Sequence, residues 1–172
     1  MPSRSILITG CSSGIGYDAA HTLHKRGWQV FATCRAQEDC DRLQSEGLNS
    51  FRLDYADEDS ITAALQTCLD QTGGTLDALF NNGAFAIPAP VEDLSRDALR
   101  HIFEANFFGH FDLIRQAMPV MRKQGHGRIV NCSSVLGFAA MRYRGAYNST
   151  KFALEGMTDT LRLELRGTGI HA

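Results

Sequence analysis

This sequence predicts an α/β fold: a single domain on a doubly wound parallel sheet. Three observations carry that prediction. Short apolar runs alternate with longer segments of helical periodicity along the 172 residues. The first run ends in a glycine-rich turn that feeds directly into a helix. Length and a hydrophobic content of 44% suit one domain with a substantial core, without repeat, linker or low-complexity tract.

Taken in order, Ser5 to Thr9 (SILIT) is the first strand, closed by Gly10. Gly14 and Gly16 follow, then an amphipathic segment to about Arg26 with Ala19, Ala20 and Leu23 on one face and Gly27 as its stop. Missing Cβ atoms let backbone approach a pyrophosphate, and a helix N-terminus favours its charge. A glycine turn alone is equally a device for sharp chain reversal.

Trp28 to Cys34 is the second strand and Arg35 follows it. Gln37 to Glu46 reads as a polar helix, and Ser50 to Leu53 as a third strand ending at Asp54. Asp57, Glu58 and Asp59 precede Ile61, Ala64, Leu65 and Leu69, which is helix-start chemistry rather than a metal site. Leu76 to Phe80 is the fourth strand, running into Asn81, Asn82, Gly83 and Ala84.

From about Ser95 to Gln124 the pattern is helical, with Ser95 and Asp97 able to cap, an interruption near Asn106, and Pro119 expected to bend or end it. Phe107, Phe111, Ile114, Met118 and Met121 form an apolar stripe, first of all core and secondly a face for a partner helix. Arg128 to Cys132 is the fifth strand. The helix from Tyr147 to about Arg166 carries Leu154, Met157, Leu161 and Leu165 on one face.

Composition narrows the function. A net charge of -2, with no basic block, argues against nucleic acid and anionic membrane as partners and for a small molecule. Five cysteines without a CxxC pair read as reduced intracellular thiols. No apolar run is long enough to span a membrane and MPSRSILITG has no leader pattern, so a soluble, cytoplasmic protein is expected. Six histidines show no HExxH, and His21 and His24 lack further ligands, so no metal is expected.

The chemistry concentrates between Gly127 and Lys151. Ser133 and Ser134 follow the fifth strand, and Tyr147 stands four residues before Lys151, on one helix face. A phenol with its usual pKa of ~10 is a poor acid or base at neutral pH, and a fixed ammonium nearby favours its ionised form. Tyr147 is therefore a candidate general acid/base. The plainer alternative is a packed Tyr147 beside a solvated Lys151, but a chain with only four Tyr seldom meets this spacing by chance.

TGCSSGIG (Thr9 to Gly16) has three residues between its first two glycines. With NNGA (Asn81 to Ala84), NFFG (Asn106 to Gly109), and Ser134, Tyr147 and Lys151 following in order, the chain resembles the short-chain dehydrogenase/reductase family over essentially its whole length. The resemblance implies a Rossmann-like fold and an oxidoreductase that moves a hydride between a nicotinamide and an alcohol or carbonyl. Catalytic roles then fall on Asn106, Ser134, Tyr147 and Lys151. Ser134 is preferred to Ser133 because the family places its serine 13 positions before the tyrosine. Asn106 would interrupt its helix and hold Lys151 through water, and Asp54 would touch the adenine ring. Cofactor contacts would come from Thr9, Gly10, Ser12, Ser13, Gly14, Ile15, Gly16, Arg35, Asp54, Asn82, Gly83, Ala84, Tyr147 and Lys151. The family's usual NNAG is NNGA here, an exchange expected to keep the role with changed dihedrals.

NADP(H) is expected over NAD(H). The position ~20 residues beyond the glycine turn, where NAD sites carry an acid, is Cys34, and the next residue is Arg35, whose guanidinium suits a 2′-phosphate. The flanking sequences look most like members acting on steroids, retinoids and other lipophilic substrates. A regulatory protein that senses NADP(H) on the same fold, and an isomerase using the same Tyr and Lys, remain alternatives. The family also implies a homodimer or homotetramer through a four-helix bundle. Ile170 to Ala172 read as the start of another strand, so the C-terminal strands and the substrate lid are expected to lie outside this chain, leaving an incomplete sheet edge and an open substrate side.

Overall fold

The computed structural model describes residues 3–172. Strands and helices alternate: β1 (Ser5–Ile8), α1 (Gly14–Lys25), β2 (Gln29–Cys34), α2 (Gln37–Ser45), β3 (Asn49–Arg52), α3 (Glu58–Thr72), β4 (Ala78–Asn81), α4 (Arg96–Phe103), α5 (Gly109–Gln124), β5 (Gly127–Asn131), α6 (Gly145–Glu164) and β6 (Ile170–His171). The strands form one parallel sheet in the order β3-β2-β1-β4-β5-β6. The order reverses between β1 and β4, which opens a crevice at their carboxyl ends.

Side chains alternate across a strand, so β1 feeds two cores. Leu7 joins Phe31, Leu79 and Ile129 beneath α3 and α5, while Ile6 and Ile8 join Val30, Ala32 and Leu43 beneath α1 and α2. Val130 stands in register with Phe80, which pairs with Ile8, yet is 52% exposed. The cover given by α1 and α2 therefore stops short of β5. The strand start expected at Ile170 is the two-residue β6, at the sheet edge beside β5.

The capping chemistry is as the sequence indicates. Asp57 accepts the Ser60 N–H at the start of α3, and Ser95 Oγ accepts the Ala98 N–H at the start of α4. Asp97 instead pairs with Arg100. The interruption near Asn106 is a π-helical turn, Glu104–Phe108, between α4 and α5. Pro119 does not end its helix: α5 continues to Gln124, and Gly125, with φ +77°, terminates it. The apolar stripe also divides, with Ile114 and Met121 in the core and Phe111 42% exposed.

Candidate active site

A groove of about 550 Å³ occupies the crevice between the carboxyl ends of β1 and β4. Its walls include Thr9, Gly10, Ser12, Ser13, Ile15, Arg35, Asp54, Asn82, Gly83, Ala84, Tyr147 and Lys151, all expected cofactor contacts. Gly14 and Gly16 shape the turn without lining the groove, and Asn106 and Ser134 also lie outside its walls.

The glycine turn is fixed by close backbone approach. A Cβ on Gly16 would stand 2.5 Å from the Gly10 carbonyl oxygen, and one on Gly10 2.7 Å from the Gly83 Cα. Gly14 meets nothing within 4 Å, but its φ of +60° is the left-handed conformation that favours glycine. Thr9 Oγ1 accepts the Asn82 N–H at 2.9 Å, and Asn82 Nδ2 donates back to the Thr9 and Gly10 carbonyls. The Ser13 hydroxyl, at the N-cap of α1, makes no capping bond. The N-terminus of α1, without a side-chain cap, and the missing Cβ atoms fit a pyrophosphate.

Gly83 is not left-handed, so the NNGA exchange needs no unusual backbone there. The reason is the space that Tyr55 occupies: its Cε2 lies 3.0 Å from where a Cβ at position 83 would stand. Tyr55 lines the groove too, but its hydroxyl is bonded to Thr9 Oγ1 at 2.6 Å and donates to Asn81 Oδ1 at 2.9 Å. Burial, only partly offset by the Thr9 bond, pushes this phenol far above its ordinary pKa. Tyr55 is thereby unsuited to acid/base work. The sequence offered only its place after Asp54 as a signal.

Tyr147 and Lys151 sit in the first two turns of α6. Lys151 is 1% exposed, and its Nζ donates to the Cys132 carbonyl at 2.7 Å and stands 5.6 Å from the Tyr147 ring centroid. Burial holds the Lys151 pKa below its ordinary value. The Tyr147 hydroxyl makes no hydrogen bond to the other described residues. Thr150 Oγ1 donates to the Tyr147 carbonyl and accepts from Asn106 Nδ2 at 3.3 Å.

Asn106 is buried, with its amide donating to the Phe85 carbonyl and its Oδ1 accepting the Phe85 N–H. Its side chain thus ties the segment after β4 to α6 and makes no direct bond to Lys151. Ser134 Oγ accepts the Leu136 N–H at 3.1 Å, while the neighbouring Ser133 lines the groove.

At the end of the groove beside the carboxyl ends of β2 and β3, the walls include Arg35, Asp39 and Asp54. Each acid is paired with an arginine from outside it: Asp39 with Arg42 at 3.0 Å and Asp54 with Arg52 at 3.4 Å. Those arginines also brace the rim, Arg42 on the Ser12 carbonyl and Arg52 on the Arg35 carbonyl. Among the described residues the Arg35 guanidinium has no carboxylate partner. None of Asp39, Arg42 and Arg52 was singled out by sequence.

A glycine turn at the sheet's topological switch, with a Tyr-Lys pair across the groove, agrees with comparison to known proteins: a family profile for short chain dehydrogenase matches residues 4–172. The chain belongs to the short-chain dehydrogenase family. It is 41% identical over 167 residues to the uncharacterized oxidoreductase YbbO of Escherichia coli, covering 97% of this chain and 62% of that protein. It is 35% identical over 172 residues to human retinol dehydrogenase 8, covering 94% of this chain and 54% of the relative. The crystal structure of an actinorhodin polyketide ketoreductase variant with NADPH superposes with a TM-score of 0.91 at 30% identity, covering 98% of this chain and 67% of that one. The chain thus spans less than two thirds of the length of these two relatives. No described helix is long and apolar enough to cross a membrane.

Proposed function

We propose that this short-chain dehydrogenase is an NADP(H)-dependent oxidoreductase interconverting an alcohol and a carbonyl on a small lipophilic substrate. The observation that carries it is a Tyr147 hydroxyl without a hydrogen-bond partner among the described residues, beside a buried Lys151 ammonium, in a groove that the glycine turn also lines. The cofactor supplies or accepts the hydride at its nicotinamide ring. Tyr147 donates its proton to the carbonyl oxygen in reduction and takes it back in oxidation. The Lys151 ammonium stabilises negative charge on the phenolic oxygen and is proposed to bind the nicotinamide ribose. Ser134 is proposed to hydrogen-bond the substrate oxygen. A protein that only senses the cofactor has no need of a proton-passing Tyr147 or of Ser134 beside Lys151.

The NADP(H) preference is supported by Arg35, which has no carboxylate partner among the described residues, by Cys34 in place of an acid at the end of β2, and by NADPH in the ketoreductase neighbour. A lipophilic substrate is supported by Val91, Phe138, Met141 and Tyr143, exposed side chains on two loops joined by the Ala89–Arg144 bridge just before Tyr147. Retinol is the substrate named for one relative. A homodimer or tetramer is proposed through the apolar groove where Phe107, Phe111 and Met118 face Met157 and Leu161 of α6. Further chain, carrying the remaining strands and a substrate lid, is proposed to cover the sheet face at Val130.

The test of the cofactor preference is calorimetric titration with NADP+ and NAD+. NADP+ should bind roughly tenfold to a hundredfold more tightly, as one charge-assisted pair implies. Arg35→Ala should erase the preference, and Cys34→Asp should shift it toward NAD+. Equal affinities, or a preference unmoved by Arg35→Ala, would remove Arg35 from the site.

A further inference from the structure

The end of the groove beside β2 and β3 carries an acid that a phosphate-binding site should not tolerate. Asp39 lines the same wall as Arg35 and Ser12, and a carboxylate there both repels a 2′-phosphate and can accept bonds from a free 2′-hydroxyl. In isolation it would oppose Arg35. It is not in isolation, because one turn along α2 the Arg42 guanidinium lies 3.0 Å from its Oδ1.

Arg42 is itself held on several sides. One amino group donates to the Ser12 carbonyl at 2.7 Å, the other reaches Glu46 at 3.4 Å, and the guanidinium carbon lies 5.6 Å from the Tyr17 ring centroid. The cation is therefore fixed between the glycine turn and the acid without being part of the groove wall. A pair of this exposure adds little to stability, so its position counts for more than its strength.

We propose that Arg42 determines cofactor selectivity by neutralising Asp39, so that the 2′-phosphate meets Arg35 without an opposing charge. Arg42 acts through Asp39 and is a specificity-determining residue outside the site's contact shell. The proposal rests on the groove being the nicotinamide cofactor site, but its readout is the ratio of NADP+ to NAD+ affinities whatever the wild-type ratio.

The experiment is calorimetric titration of both cofactors against the purified protein and its Arg42→Met, Asp39→Asn and double variants. Arg42→Met should lower the NADP+/NAD+ affinity ratio by about tenfold, because the uncovered carboxylate repels the 2′-phosphate of NADP+ and can accept a bond from the 2′-hydroxyl of NAD+. Adding Asp39→Asn to Arg42→Met should return the ratio to within about threefold of wild type. Asp39→Asn alone should raise it severalfold, since Arg42 then adds uncompensated positive charge.

An Arg42→Met variant that weakens both cofactors equally, or a double variant whose ratio stays where Arg42→Met put it, would reduce Arg42 to a brace for Ser12 and overturn the proposal. If Arg42→Met does not fold, Asp39→Asn decides alone: an unchanged or lowered ratio overturns the proposal. Failure of the NADP(H) preference itself reads out differently, as a ratio insensitive to Arg35→Ala.

Discussion

Tyr55 fills the volume that a side chain at Gly83 would need, its ring edge 3.0 Å from the position of a Cβ. The same tyrosine is bonded to Thr9 and Asn81, so its ring cannot swing away without breaking two buried bonds. Gly83→Ala should cost roughly 1 to 3 kcal/mol by overpacking. In a Tyr55→Leu background the extra methyl has room, and its cost should shrink by ~1 kcal/mol or more. Denaturant unfolding of the four proteins in this cycle measures the coupling; additive costs would show that the two positions do not share the space.

His110 makes stability depend on acid. It is fully buried, its Nε2–H donates to the Gly83 carbonyl at 2.8 Å, and its Nδ1 has no partner among the described residues. Burial lowers its pKa from 6.5 to about 4, against the Gly83 bond and aided by the Lys151 charge. Because the folded value lies below the unfolded one, the unfolded state binds the extra proton between them, and stability falls as pH drops from about 6.5 toward 4. The full effect is about 3 kcal/mol. His126, raised by its bond to Asp77, acts in the opposite sense but is exposed. Unfolding free energies between pH 7 and 4 should show a slope that His110→Gln largely flattens; an unchanged slope would place the dependence elsewhere.

Much of the fold was legible because the signals are local. Strand periodicity, the glycine turn and the Asp57 and Ser95 caps each depend on a few neighbouring residues, and the helix interruption at Asn106 could be placed from the NFFG motif. The Tyr147-Lys151 pair was legible for the same reason, being one turn of one helix. What escaped were relationships across strands. Tyr55 answers a glycine 28 positions later, Cys132 offers Lys151 its carbonyl, and Arg42 reaches back 30 positions to Ser12. No periodicity encodes such contacts; they exist only once the sheet brings the strand ends together. Of the two outcomes expected of Pro119, a bend or an end, the end does not occur, since α5 runs on to Gln124.

The exposed apolar face of α5 and α6 makes assembly testable. Phe111 lies beside Met118 and Met157 in a groove of about 700 Å³, away from the candidate active site. Phe111→Glu should convert a dimer or tetramer to a smaller species, since it places a charge in an apolar contact without touching the groove at β1 and β4. Light scattering at micromolar concentration measures the mass. A wild-type protein that is already a single chain there would contradict the proposed interface.

The central claim is that Tyr147 passes the proton, and the variant Tyr147→Phe isolates it by removing one oxygen that no other described side chain uses. The decisive measurement is NADPH affinity and turnover of the same preparation against a panel of lipophilic ketones and aldehydes. Affinity should stay near wild type, while turnover should fall by roughly a hundredfold to ten-thousandfold, the usual contribution of a positioned general acid. Reduction at the wild-type rate by Tyr147→Phe would contradict the account.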